Sequence, residues 1–333
     1  MSKQICRLCG AELKQTLVDL GKTALANSYV KPEDAKRKDP AYALHARVCG
    51  DCFLVQIEDS VPPQDIFSDY AYFSSYSEGW VAHAKRYAEA AAKRLELNED
   101  SLVVEVASND GYLLQHFVGM GIPVLGVEPA ANIAVHAEKK GVPTRVDFFG
   151  RDVARDIAEY TGKADLTAAN NVLAHVPVIN DFVAGFAEIL KPEGVSTFEF
   201  PHLLNLMDYV QFDTIYHEHF SYLSLLAVEN CLKRHGMRVF DVEQLPTHGG
   251  SLRIWACLND ASHQETAALT ALRETEAERG LDKLETYEGF TARVEKVRAD
   301  LLDFLTKAKA SGKKIAAYGA AAKGNTLLNY SRI

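Results

Sequence analysis

The chain has 333 residues, a formal net charge of −9, 47% hydrophobic and 24% charged residues. That length suits two or three domains, and that composition an ordinary packed core. The acidic balance argues against a broad nucleic-acid surface; with no apolar run of membrane-span length and no signal-peptide core at the start, a cytoplasmic protein without a membrane partner is expected.

Along the chain, the first feature is two tight cysteine pairs, Cys6-x-x-Cys9 and Cys49-x-x-Cys52. In a reducing compartment, paired CxxC turns suggest metal or redox chemistry, and a redox motif does not need a second copy. Four sulfurs from two turns can surround one zinc ion tetrahedrally, leaving no position for water, so the expected role is structural. The stretch between the pairs holds a strand near residues 16–21, while Cys231 and Cys257 stand alone in apolar surroundings as inert core residues. This first part is expected to close at Val61-Pro62-Pro63, near residue 65. A segment rich in tyrosine and serine follows, Asp69 to Ser77, then an alanine-rich helix near 79–97.

From about 101 to 200, short apolar runs alternate with helical segments, with strand candidates at 101–107, 123–127, 165–169 and 195–200. This alternation implies βαβ units and a parallel sheet. Period-two runs at 237–242 and 251–256 flank Thr247-His248-Gly249-Gly250 and suggest a terminal antiparallel hairpin. Residues 261–310 are charged, periodic and helix-favouring, and 313–325 has the pattern of strand, glycine-rich turn and helix, the opening of a second nucleotide-type α/β unit.

The first turn of the α/β part is Ala107-Ser108-Asn109-Asp110-Gly111, preceded by Glu105 in its strand. A dinucleotide turn needs several glycines so that the backbone can approach a diphosphate, and here only Gly111 fits. The turn suits S-adenosylmethionine, which carries no phosphate. The cofactor set is then Glu105, Ala107, Asn109 and Gly111 at the turn, with Glu128-Pro129 at the second strand end, where the carboxylate can accept the ribose hydroxyls. Asp147 and Phe148 can hold the adenine, and Asn170 can face the sulfonium.

These residues resemble the three-domain S-adenosylmethionine-dependent sugar C-methyltransferases that act on nucleotide-linked 4-keto-6-deoxyhexoses. The resemblance covers essentially the whole chain. It rests on the CxxC pairs, the 70–77 segment, Glu105 to Gly111, Phe198-Glu199-Phe200-Pro201-His202, Tyr216-His217-Glu218-His219, His248-Gly249-Gly250-Ser251 and Gly319 to Gly324. It implies a zinc-binding domain over 1–65, a class I (Rossmann-like) methyltransferase domain over 66–260, and over 261–333 a helical segment and the start of a C-terminal Rossmann-like sugar-nucleotide domain.

A ketone at C4 acidifies the hydrogen on C3, so a positioned base can form an enolate that takes the methyl group. The resemblance implies His219 as that base, Tyr216 as its partner, Glu218 as an orienting carboxylate and His175 as a further active-site histidine. Tyr70 or Tyr72 would line the sugar pocket and Lys323 would meet a phosphate. His202 and His248 suit structural turn or strand-end positions better, and a metal pair at His217 and His219 is a minor alternative. An NAD-dependent sugar oxidoreductase and a non-catalytic zinc-ribbon module are the rival readings; oligomeric state is not encoded in any motif, with a monomer favoured.

Overall fold

In the computed structural model, residues 4–27, 30, 32–34, 36–59, 72–318 and 322–333 are described. The expected closure at Val61-Pro62-Pro63, the boundary at 65 and Tyr70 lie outside them. The first strands are β1 (Gln15–Thr23), β2 (Tyr42–Val48) and β3 (Val55–Gln56), followed by helix α1 (Glu78–Arg94). The α/β part then runs β4 (Val103–Val106), α2 (Leu114–Gly119), β5 (Val124–Val127), α3 (Ala131–Glu138), β6 (Thr144–Arg145), α4 (Arg151–Tyr160) and β7 (Ala164–Asn170). After it come α5 (Ile179–Ile189), β8 (Leu190–Pro201), α6 (Leu203–Asp208), β9 (Ser221–Tyr222), α7 (Leu225–Lys233), β10 (Met237–Leu245) and β11 (Ser251–Leu258). Helices α8 (Ala267–Glu278), α9 (Phe290–Ala310) and α10 (Ala322–Ser331) complete the order.

The large sheet has the order β10-β11-β8-β7-β4-β5-β6. Strands β4 to β8 pair in parallel, and β11 and β10 continue the sheet antiparallel, as the period-two patterns require. All four residues of β4 are buried, as expected for a central strand covered on both faces. The chain steps outward from β4 through β5 to β6, then crosses back to place β7 on the other side of β4. That reversal opens a crevice at the carboxyl ends of β4 and β7, where ligands bind in such sheets.

Helix α1 begins where the Ser77 hydroxyl accepts from the Trp80 N–H (3.2 Å), and it buries Ala84, Tyr87, Ala88 and Ala91 along one stripe. The glycine of the β4 turn is needed for packing. Gly111 has φ +75°, and a Cβ there would stand 3.1 Å from the Ala137 Cβ of α3.

A second sheet, β1-β2-β3-β9, includes a strand from far along the chain. Tyr222 pairs with Val55 and Ser221 with Gln56. The loop carrying Tyr216 to His219 thus runs straight from the crevice into the sheet of the cysteine-rich part. Helix α10 packs on the same region: Thr326 Oγ1 donates to the Ile215 carbonyl (2.8 Å), and Asn325 Nδ2 to that of Ala24 (3.1 Å).

One expected element does not form. Residues 313–318 carry no strand and are exposed, with Tyr318 fully so. A strand exists only by pairing, and among the described residues no sheet edge takes this one up. The glycine-rich turn at 319–321 lies outside the described residues, whereas the helix after it is present as α10. Among the described residues, no helix is long and apolar enough to cross a membrane.

Candidate active site and metal centre

The two CxxC turns bring Cys6 Sγ to 3.6 Å from Cys52 Sγ and Cys9 Sγ to 3.4 Å from Cys49 Sγ, and all four sulfurs lie within 4.8 Å of one another. Four thiolates at about 2.3 Å from one zinc ion stand about 3.8 Å apart in a tetrahedron, so the cluster fits that ion. All six cysteines are free thiols. Gln56 Nε2 donates to Cys6 Sγ (3.1 Å) and the Asp51 N–H to Cys49 Sγ (3.5 Å), the kind of bond that supports thiolate charge. With four protein ligands the centre has no open position. Cys231 is buried in the core that the cluster shares and Cys257 in a separate one, as expected of core residues.

The crevice at the switch point is a cavity of about 820 Å³. Its cofactor side is built by the β4 turn, where Ala107, Asn109 and Gly111 all have positive φ (57°, 50° and 75°). This winding turns the Asn109 N–H onto Glu128 Oε2 (2.9 Å), while the Ala130 N–H holds Oε1 (2.9 Å). Burial raises the Glu128 pKa, and these two backbone donors oppose the rise. Pro129, Asp147, Phe148 and Asn170 line the same side. Arg145 pairs with Asp147 at 3.1 Å, and the Phe148 ring is 41% exposed, an apolar face open to a ligand. Asn170 Oδ1 is buried without a partner. Carboxylate, ring and polar strand end, with no glycine cradle for a diphosphate, fit S-adenosylmethionine.

Two expected cofactor residues stay out of this cavity. Gly111 packs against α3 instead. Glu105 is buried, 1% exposed, and burial keeps its carboxyl well above the ordinary range, opposed by the Tyr112 hydroxyl.

The opposite wall holds the Tyr216 to His219 loop. The Thr214 carbonyl lies 3.0 Å from His219 Nδ1, and a carbonyl only accepts, so Nδ1 carries the proton. Nε2 is then the free lone pair, and the Tyr216 hydroxyl donates to it at 2.9 Å. The His175 ring stands edge-on to that of His219, centroids 4.7 Å apart. Burial first, then His175, holds the His219 pKa well below its ordinary value; burial pushes His175 down to about 4. Both imidazoles are therefore neutral bases near neutral pH.

Glu218 lines the cavity but does not orient His219. Its Oε1 accepts from Asn27 Nδ2 (2.7 Å), and the Thr214 carbonyl takes the orienting role expected of the carboxylate. His217 leaves the cavity altogether, with Nε2 on the Ala43 carbonyl (3.1 Å), so no metal pair forms with His219. His202 is structural, bonded to Glu276 Oε1 at 2.7 Å, and that carboxylate also accepts the Leu225 and Leu226 N–H groups that start α7. Tyr72 and Lys323 both line the cavity, the lysine delivered by the first turn of α10.

Among the cavity residues that no sequence motif pointed to are Asn27, Trp80 and Thr214. His248 also faces the cavity, against the structural reading of its motif. It has φ 52° inside a turn whose Thr247 Oγ1 donates to Glu199 Oε1 (3.0 Å), and its ring meets Trp80 at 5.4 Å. Glu199 is itself buried against Arg253, its antiparallel partner on β11, and His83, which stacks on Trp80.

Comparison with known proteins bears on the identity of this arrangement. A C-methyltransferase C-terminal domain matches residues 246–333, a zinc binding domain residues 6–67 and a methyltransferase domain residues 80–242. The chain is 35% identical to C-methyltransferase NovU of Streptomyces niveus across 97% of its own length and 77% of NovU. The chain belongs to the C-methyltransferase family. This C-methyltransferase also matches a ubiquinone biosynthesis O-methyltransferase of Rhodopseudomonas palustris strain HaA2 at 28% identity, over 32% of the chain and 45% of that relative. Its likeness to the solved magnesium protoporphyrin IX methyltransferase of Synechocystis PCC 6803 is loose: TM-score 0.40, 14% identity, 58% of this chain and 88% of that one. The fold is read from the sheet order itself. The C-methyltransferase is thus an S-adenosylmethionine-dependent enzyme with a four-cysteine zinc centre, and the oxidoreductase and scaffold readings fall.

Proposed function

We propose that this C-methyltransferase methylates C3 of a nucleotide-linked 4-keto-6-deoxy sugar in cytoplasmic deoxysugar biosynthesis. The observation that carries this reading is the Tyr216–His219 pair, with its lone pair set by the Thr214 carbonyl and facing the cofactor turn across one cavity. S-adenosylmethionine, when bound, supplies an electrophilic methyl group. His219 takes the C3 proton through the Tyr216 hydroxyl or directly at Nε2, leaving an enolate. Lys323, with the neutral His175 and His248, lines the pocket in which that negative charge develops, and Lys323 also suits the substrate's phosphates. Tyr72 would line the sugar pocket, and Glu128 would hold the cofactor ribose.

The test is turnover on a panel of keto-sugar nucleotides with the product examined by NMR. A new quaternary or methyl-bearing carbon at C3 is expected. Methylation at C5 would move the proton-abstraction site, and methylation on oxygen or nitrogen would end the carbanion reading. The ribose placement makes a separate prediction. Glu128→Gln should weaken S-adenosylhomocysteine binding by about 10–100-fold in calorimetry, the effect of losing one charged hydrogen bond. Unchanged affinity would move the ribose elsewhere.

A further inference from the structure

We propose that Asn109 is a positioning residue that couples the two ligands of the cavity, joining Glu128 on the cofactor side to the 72–77 segment on the sugar side. It rests on the placement of the cofactor ribose at Glu128 given above.

Asn109 faces both ways. Its backbone N–H donates to Glu128 Oε2 at 2.9 Å. Its side-chain Oδ1 accepts the Ser74 N–H at 2.8 Å, and its Nδ2 donates to the Tyr72 carbonyl at 3.1 Å. Both halves of one amide are thus spent on the backbone of the segment that brings Tyr72, Ser74 and Ser77 to the cavity wall. The left-handed φ of 50° accompanies this two-way bonding, and asparagine adopts that conformation more readily than most residues. A second tether lies outside the cavity: Lys140 Nζ donates to Ser75 Oγ (2.6 Å) and Asp110 Oδ2 (3.0 Å). The segment is short, with Tyr72 51% exposed and Tyr76 78% exposed, so these polar bonds, together with the Phe73 ring against His136, hold its backbone.

A ligand hydroxyl held by Glu128 fixes the carboxylate, and the carboxylate fixes the Asn109 backbone from which the amide reaches the segment. Cofactor binding therefore orders the sugar-side wall, and the sugar nucleotide meets a segment whose ordering entropy is already spent. By linkage the effect is reciprocal.

The experiment is hydrogen exchange over residues 72–77 with and without S-adenosylhomocysteine, on the full chain, paired with calorimetry of the same samples. In the wild type, the ligand should slow exchange of the segment about tenfold, within the range typical of coupled sites. Asn109→Gly keeps the positive φ and the backbone N–H but removes the amide. At S-adenosylhomocysteine concentrations that saturate it by calorimetry, it should show no slowing, because the bond to Glu128 from the backbone is kept while the amide is gone. Asn109→Asp, which keeps the acceptor for Ser74 and loses the donor to Tyr72, should recover part of the slowing. Equal slowing in the glycine variant, or none in the wild type, overturns the coupling. Full affinity in Glu128→Gln overturns the ribose placement instead, a result read in calorimetry and separate from the exchange pattern.

Discussion

His219→Asn should abolish methyl transfer together with wash-in of solvent deuterium at the carbon next to the ketone, each by about 10²–10⁴-fold, the usual contribution of a positioned base. The two losses must travel together, because proton removal precedes carbon–carbon bond formation. Tyr216→Phe removes the hydroxyl that donates to Nε2 and should slow both steps while leaving the His219 lone pair in place. The pH profile adds a constraint. The His219 pKa is depressed, chiefly by burial and then by His175, with His248 and Lys323 acting the same way and the Thr214 carbonyl opposing them. The competent base is the neutral form, so activity should be flat from neutrality down through about pH 6.5, where an ordinary histidine is already half protonated. It is lost only when acid reaches the lowered value. An inflection at the ordinary histidine position would mean that the titrating base is a solvated imidazole elsewhere, and exchange surviving in His219→Asn would exclude His219 outright.

How far the sequence alone leads is visible in this same pair. Tyr216, His219, His175 and the β4 turn announce themselves because residue type and local spacing carry the chemistry. The partner that sets the His219 tautomer is a backbone carbonyl, and a carbonyl has no residue identity to read. Glu218 shows the opposite failure. Its place beside His219 in the chain suggests an orienting contact, but the side chain turns to Asn27, 191 positions away, a contact that only the packing of β1 and α10 beside this loop creates. His248 was legible as a turn and not as a cavity residue, since its direction follows from the antiparallel register of β10 and β11 and from Thr247 on the buried Glu199. The strand expected at 313–318 failed for a related reason. A short apolar run states a capacity to pair, and pairing depends on an edge elsewhere in the molecule. Local patterns gave the parallel core correctly, because the buried stretches of β4 and β7 are mostly apolar, Val103, Val104 and Val106 in one and Leu166, Ala168 and Ala169 in the other.

Removing the zinc should inactivate the enzyme although no cysteine reaches the cavity. The cluster is not a separate bead. Cys6, Cys49 and Cys52 share one buried core with Phe182 of α5, Phe198 of β8 and Leu223. Asn180 Nδ2 of α5 donates to the Arg7 and Leu8 carbonyls inside the first CxxC turn, at 2.9 Å each. Two residues after His219 the chain enters β9, which among the described residues pairs with β3 alone, and β3 begins three positions beyond Cys52. Metal binding at structural four-ligand sites contributes about 10–16 kcal/mol in isolated fingers, against about 5–15 kcal/mol for the whole stability of a typical domain. Even a third of that contribution, lost here, lowers the melting temperature by about 5–8 °C for a chain of 333 residues. Chelation or Cys49→Ser should therefore drop the thermal midpoint, release one zinc per chain, and raise hydrogen exchange across 214–222 along with that of β3. Cys257→Ser, a buried thiol in the other core, should cost far less and leave exchange at 214–222 unchanged. A metal-free protein that keeps its melting temperature and its turnover would show that the His219 loop is held from the methyltransferase side alone, and that β9 is a passive neighbour of the zinc sheet.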